Sequence, residues 1–526
     1  MGRGATQWWI EDRVSSASMI SYPSTLTDLP SYAARRFGEK IALHCGDAKL
    51  TFKEVENRVA AIANGLDRIG VRRGDRVVLH LPNNWHWVVA YFAIARIGAV
   101  VVPANVLLVP EEIDFIAEDS GAVAIIAPGK TIHALQSLTS SGSSRHYIAV
   151  GEAGSGDASS WHELLLTSPL QRSAQVKPED LSTIGYTSGT TGRTKGAMLT
   201  HAAIVTNTAM TATMHVRTTS DVVVTALPCS HVYGNVVMNG AFLCGYSLVL
   251  LERFDPEAVL TAIERYRATL FEGVPTMYYY LLGSSELGKR DLSSLTRASV
   301  GGQTMPLPQM LEVRKRLECP LLELWGMTEI AGLGTTHPLY APEKLGSIGQ
   351  PLPLSACRIA DLENAEREAG IGEAGELWFR GPTVMKGYFQ QPQATAEALH
   401  ADGWLRTGDI AYRDADGFLF IVDRLKEMII TAGYNIYPSE VERVIAAHPA
   451  VQIVAVGGTP DEAKGELAHA YVVLRPSNKV DAETLFEYCR SHLAAYKVPK
   501  AIHFVNDLPR TSTGKIIRRA LRTLNA

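Results

Sequence analysis

Cysteine is scarce in this chain, and its placement excludes more than its number does. The six cysteines (Cys45, Cys229, Cys244, Cys319, Cys357, Cys489) are scattered through 526 residues with no C-x-x-C pair. That spacing argues against a zinc site or a disulfide framework and fits a reducing cytoplasm. Long hydrophobic runs are missing too. The longest candidate, WVVAYFAIARIGAVVVPAN, carries Arg96 and Gly98 and meets Pro103, so it falls short of the ~18 uncharged residues of a membrane span. It reads as a buried helix running into a buried strand. There is no excess of one charge: the formal net charge of -4 gives no long-range pull toward nucleic acid or anionic lipid. The opening MGRGATQWWIEDR has mixed charges and no apolar core of signal-peptide length. Its match to the myristoylation pattern M-G-x-x-x-[ST], through Gly2 and Thr6, is read as chance. No internal repeat is evident.

What is present is ordinary globular material in a chain too long for one core. Hydrophobic residues make up 46% and charged residues 20%, and the length implies two or more domains. From about residue 75, short β-branched runs alternate with helix-length segments. RVVLHLP precedes a helix expected over 84–97, AVVVPAN follows it, and AVAIIAPG, VVVTALP, YSLVLLE, TLFEGVP and PLLELWG continue the series. Such alternation predicts an α/β fold with mostly parallel, buried strands. The Gly/Ser-rich stretch 137–160 is expected to be a surface connection. Near residue 425 the texture changes to a strand, a junction of mixed charge, and PSEVERVIAAH, a helix that Ser439 can cap. Beyond it, strand-like IVAVGGT and AHAYVVLRP and a helix around 482–494 suffice for a small α+β domain.

The segment TSGTTGRTKG (187–196) holds three glycines, five hydroxyl side chains and two basic residues. It fails the Walker pattern, because Thr194 and not glycine precedes Lys195. Two readings stand: a flexible surface turn, or a phosphate cradle in another framework. Glycines let backbone N–H groups approach an anion, hydroxyls donate hydrogen bonds, and Lys195 adds a point charge. Four further segments bear on the choice. ELWGMTE (323–329) sets Trp325, able to stack on a purine, beside Thr328 and Glu329, able to serve a phosphate and its Mg²⁺. WLRTGD (404–409) ends an expected strand with Asp409, suited to ribose hydroxyls. VDRLKEMIITAGYNIYPSEVE (422–442) supplies Arg424 at the domain junction, and PRTSTGKIIRR (509–519) supplies Lys515.

Together, in this order, these segments resemble the adenylate-forming superfamily of acyl-CoA synthetases, nonribosomal peptide synthetase adenylation domains and firefly luciferase. The likeness runs from about residue 25 to the end. It implies a large N-terminal domain of layered α/β subdomains (1–424), a hinge (425–426) at Lys426, and a small mobile α+β C-terminal domain (427–526). It implies a two-step reaction in which a carboxylate attacks the α-phosphate of Mg-ATP and a thiol then displaces AMP. By resemblance Thr187, Ser188, Gly189, Thr190, Thr191, Gly192 and Lys195 form the phosphate loop, with Thr194 in place of the usual proline. Gly302, Gln303, Thr304, Trp325 and Gly326 lie by the adenine, with Trp325 replacing the common tyrosine. Asp409 and Arg424 match the ribose ligands, Thr328 the α-phosphate contact, and Thr190 and Glu329 the metal ligands. Lys515 matches the lysine of the first step, Gly433 the space for pantetheine in the second, and His231 a gate near the acyl-phosphate.

The acid and the thiol leave rival readings. Amino-acid-activating members carry an aspartate near 235, where this chain has Asn235. It also stops eleven residues after Lys515, without a carrier domain. Both points favour a free-standing CoA ligase over an enzyme loading an acyl carrier protein; a luciferase-type oxidase is a remote third. Leu324 stands where malonate-activating relatives have arginine, and Val232, Val236, Val237, Met238 and Leu333 are apolar. An unpaired second carboxylate there would be costly, so a hydrophobic fatty or aryl monocarboxylate is expected. The expected cofactors and partners are ATP, Mg²⁺, CoA and a small carboxylic acid, in the cytoplasm, without nucleic acid or a transmembrane segment; a homodimer stays open.

Overall fold

A computed structural model describes residues 22–138, 145–151, 158–170, 173–187, 194–431, 434–461, 464–475, 478–510 and 516–525. The large N-terminal part is built on two mostly parallel sheets. One has nine strands, in the order 350–351, 332–336, 321–327, 297–301, 270–273, 222–225, 247–250, 41–45, 48–51; the other has seven. The expected strands fall at Arg76–Leu79, Val100–Pro103, Ala124–Pro128, Val222–Thr225, Ser247–Leu250, Leu270–Gly273 and Leu321–Met327. Their β-branched and leucine side chains are buried on both faces, as parallel strands covered by helices must be. The α/β class is therefore as the alternation predicts.

Helix Trp85–Arg96 begins where Asn84 Oδ1 accepts from the amides of His86 (3.0 Å) and Trp87 (3.3 Å), which satisfies two otherwise orphaned donors. Trp87 through Arg96 are all buried, and the charge of Arg96 is matched by Glu56 at 2.6 Å. A four-stranded antiparallel sheet (356–360, 375–380, 405–413, 419–424) completes the large part. The small C-terminal domain has a five-stranded sheet with helices Pro438–Ala446 and Ala482–His492. Among the described residues no helix is long and apolar enough to cross a membrane.

Two local expectations change. The 137–160 stretch is not all surface connection: His146–Val150 is a strand of the seven-stranded sheet, with Tyr147, Ile148 and Ala149 buried. Nor does Ser439 cap its helix. Pro438 takes the first helical position, Tyr437 precedes it, and the orphan amide of Ser439 is bonded by Asp423 Oδ2 from the preceding sheet (2.8 Å).

Candidate functional site

Among the described residues, Trp325, Glu329, Asp409, Arg424 and Lys195 come together at the carboxyl end of the strand Leu321–Met327, and open α/β sheets bind ligands at such strand ends. The strands Leu181–Thr187 and Lys195–Thr200 pair antiparallel with Thr187 opposite Lys195, which holds the two ends of the glycine-rich segment side by side. Ser188, Gly189, Thr190, Thr191 and Gly192 lie outside the described residues. A second segment, 386–389, runs along the Lys195 strand: Phe389 N donates to Gly196 O (2.7 Å) and Lys386 N to Met198 O (2.9 Å). This places the Tyr388 ring 5.0 Å from Lys195 Nζ, within cation–π range, and lets the Tyr388 hydroxyl donate to Glu329 Oε1 at 2.8 Å.

Glu329 belongs to the short turn Thr328–Ile330 that follows the Leu321–Met327 strand. The turn is pinned from two sides. Thr328 packs its methyl against Gly185, where an added Cβ would come within 2.6 Å. Asn207 donates to the carbonyls of Ile330 (3.1 Å) and Leu333 (2.7 Å) and accepts from Leu333 N (3.2 Å). Gly326 is needed for a close crossing, since a Cβ there would lie 2.0 Å from Gly332 O. Gly301 pairs with Leu324, so Gly302, Gln303 and Thr304 leave the sheet beside Trp325. Gly302 takes φ +88, a left-handed conformation that suits glycine, while Gln303 is half-buried and Thr304 exposed.

Asp409 does not end its strand as expected; it sits inside Leu405–Arg413 opposite Arg424, just before a bulge at Ile410. Only 3% exposed, it receives Trp325 Nε1 on Oδ2 (2.7 Å) and Arg424 Nε on Oδ1 (2.9 Å). Asp409 above all holds the Arg424 guanidinium in its charged form, against burial. Burial raises the Glu329 carboxyl above the usual range; the Tyr388 hydrogen bond and nearby Arg424 oppose that, and Asp409 adds to it. Glu329, Arg424, Asp409 and Trp325 thus form one electrostatic group. Among the described residues no cluster of three or more His, Cys, Asp or Glu could hold a metal. A lone buried carboxylate with one hydroxyl donor does suit Mg²⁺, which takes one or two carboxylates and completes its shell with phosphate oxygens and water.

On the other side, His231 caps helix Val232–Cys244, its Nδ1 accepting from Tyr233 N at 3.3 Å. Val232 and Asn235 are half-buried, and Asn235 Oδ1 accepts from Asn239 (2.7 Å) and Tyr91 (3.3 Å). Leu333 is buried, and Leu324 fills the space over Gly301, with its Cδ1 2.2 Å from an added Cβ. The buried cation against this helix, Arg217, is ion-paired with Glu272. Lys515 and Gly433 lie outside the described residues. The neighbours of Lys515 are positioned: Arg510 and Ile516 bridge, and Arg510 acts electrostatically on the half-buried Tyr279 of the large domain. Tyr434, next to Gly433, is 58% exposed, and Lys426 is exposed between the two sheets. The sequence reading missed Tyr388, Asn207 and Asp423, each of which acts on residues distant in the chain.

The fold and the family it belongs to mark the chain as an acid–thiol ligase. The chain belongs to the AMP-binding enzyme family, whose main domain matches residues 31–389 and whose C-terminal domain matches residues 440–515. It is 36% identical to a long-chain-fatty-acid–CoA ligase of Bacillus subtilis (strain 168), over 94% of each chain. It is 37% identical to a feruloyl-CoA synthase of Amycolatopsis, over 94% of this chain and 97% of that one. The o-succinylbenzoate CoA synthetase of Bacillus subtilis, solved with its acyl-adenylate intermediate, superposes with a TM-score of 0.82 at 32% identity, covering 94% of this chain and 98% of that chain.

Proposed function

We propose that this enzyme activates a hydrophobic monocarboxylate, fatty or aryl, with ATP and transfers the acyl group from AMP to CoA in the cytoplasm. The observation that carries the reading is the convergence of Lys195, Tyr388, Glu329, Arg424, Asp409 and Trp325, drawn from all three sheets of the large part. Asp409 and Arg424 bind the ribose, Trp325 and the 302–304 turn bind the adenine, and Lys195 with the glycine-rich segment binds the phosphates. Thr328 contacts the α-phosphate, and Glu329 with Thr190 would hold Mg²⁺, which when bound neutralises charge on the phosphates. The protein's work is to position two anions and offset the charge that builds between them.

The domain limits 1–424 and 427–526, with Lys426 as hinge, belong to the same reading. The bridge beside Lys515 lies near Tyr279 of the large domain, while Tyr434 beside Gly433 faces solvent. By the family resemblance, Lys515 joins carboxylate and α-phosphate in adenylate formation. For the acid, the buried Arg217 beside Gly240 is already ion-paired with Glu272 and so is not available to a second carboxylate. The names of the fatty-acid and feruloyl relatives point the same way.

Pyrophosphate exchange over fatty, aryl and dicarboxylic acids tests the substrate; malonate or succinate as the best acid overturns it. Lys515→Ala tests the chemistry. It is expected to lose at least ~100-fold in exchange while still transferring acyl groups from supplied acyl-AMP to CoA. Equal loss of both half-reactions would sink that assignment.

A further inference from the structure

The Asp409 carboxylate is held by two donors of unequal rigidity. Arg424, on Oδ1, has a side chain 42% exposed, and its long stem can move. Trp325, on Oδ2, is 8% exposed and wedged by its benzo ring against Gly334, where an added Cβ would come within 2.4 Å of Cζ3. A carboxylate turns easily about its last torsion, which has only broad two-fold preferences. One donor on each oxygen stops that rotation and fixes the carboxylate plane. Each oxygen has two lone-pair directions, so one per oxygen is left over for a further donor. Two oxygens of one carboxylate, each with an acceptor direction to spare and held in a fixed plane, can take the two hydroxyls of a vicinal diol.

We propose that the Trp325 indole N–H is a positioning group for ribose recognition. It orients Asp409 so that both ribose hydroxyls are read, in addition to any stacking of the ring on adenine. A tyrosine offers a comparable face but carries its hydroxyl at the ring tip, away from the indole edge that reaches Asp409. The inference rests on the proposed assignment of Asp409 to the ribose, and the test separates the two.

The test measures equilibrium binding of AMP, 2′-deoxy-AMP and 3′-deoxy-AMP to the full chain, its Trp325→Phe variant and its Asp409→Asn variant. Thermal unfolding checks that each variant is folded. Wild type is expected to prefer AMP to a deoxy analogue by about tenfold or more, the size of one charge-assisted hydrogen bond. Asp409→Asn should bring that ratio close to one. Trp325→Phe should also lower the ratio severalfold, beyond any loss of stacking, because stacking changes AMP and its deoxy analogues alike. A ratio kept at the wild-type value in Trp325→Phe, beside a collapsed ratio in Asp409→Asn, overturns the positioning role and leaves the ribose assignment standing. A wild-type ratio near one, or an unchanged ratio in Asp409→Asn, removes the ribose assignment and the inference with it. Should the phenylalanine variant fail to fold, Trp325→Tyr makes the same comparison, with the same outcomes deciding.

Discussion

Glu323 lies two residues before Trp325, fully enclosed, with the Gly346 amide donating to its Oε2 at 2.7 Å. Burial pushes its carboxyl up to about 8, and the Gly346 hydrogen bond only partly offsets that. In the unfolded chain the group should titrate near the ordinary glutamate value of about 4.3. Between those limits the native state keeps a proton that the unfolded state has released. Stability from this residue is therefore complete below about pH 4 and falls as pH rises toward 8. Glu323→Gln keeps an acceptor for Gly346 and removes the titration. The variant is expected to gain on wild type in melting temperature steadily from pH 5 to pH 8. Unfolding scans across that range check it; a gap constant with pH would show that Glu323 does not titrate as its burial implies.

At the scale of elements, the strand pair Leu321–Met327 and Gly332–Thr336 carries Trp325 on its first strand and Thr328 and Glu329 on its turn. Its closeness depends on Gly326, since a methyl there meets Gly332 O at 2.0 Å and Leu333 Cα at 2.9 Å, both backbone atoms that cannot swing away. Gly326→Ala should cost about 1–3 kcal/mol by overpacking and should lower pyrophosphate exchange along with melting temperature. Gly283→Ala, where an added Cβ meets nothing within 4 Å, is the control and should change neither. A Gly326→Ala enzyme with normal stability and exchange would refute the crossing as a constraint. The parallel strands were legible in the sequence because strands buried on both faces read as continuous apolar runs. HYIAV at 146–150 was hidden by its Gly/Ser flanks. The cap on Ser439 comes from Asp423, sixteen residues upstream, and the donor to Glu329 from Tyr388, fifty-nine residues away, so no local pattern reveals either. The glycine, hydroxyl and charge motifs named the parts of the candidate site; the strand pairing decides which of the described ones touch.

For the whole molecule, the link between domains is short: the last rung of the large part is Arg424, and the small domain's first strand begins at Ile429. Across it, Asp423 accepts from Ser439 N (2.8 Å) and Oγ (2.9 Å), and Ser439 also donates to the Val422 carbonyl. These bonds tie the first helix of the small domain to the sheet before the hinge, so a large rotation at Lys426 must break them. Lys426 is the third residue of a turn in which the Glu427 amide donates to Arg424 O (3.0 Å), and its φ is not positive. Proline there fixes φ and disfavours the helical region at Leu425, so it narrows the turn to one arrangement. Lys426→Pro is therefore expected to trap the domains in a single arrangement and to impair one half-reaction far more than the other. Either pyrophosphate exchange or transfer from pre-formed acyl-AMP to CoA should fall about tenfold or more relative to its partner reaction, a barrier difference of roughly 1.4 kcal/mol. If Lys426 is only an exposed charge, the substitution should do nothing or weaken both half-reactions together through local strain. Both assays run side by side on folded protein decide it: comparable losses in the two, or no loss in either, would remove Lys426 as the hinge.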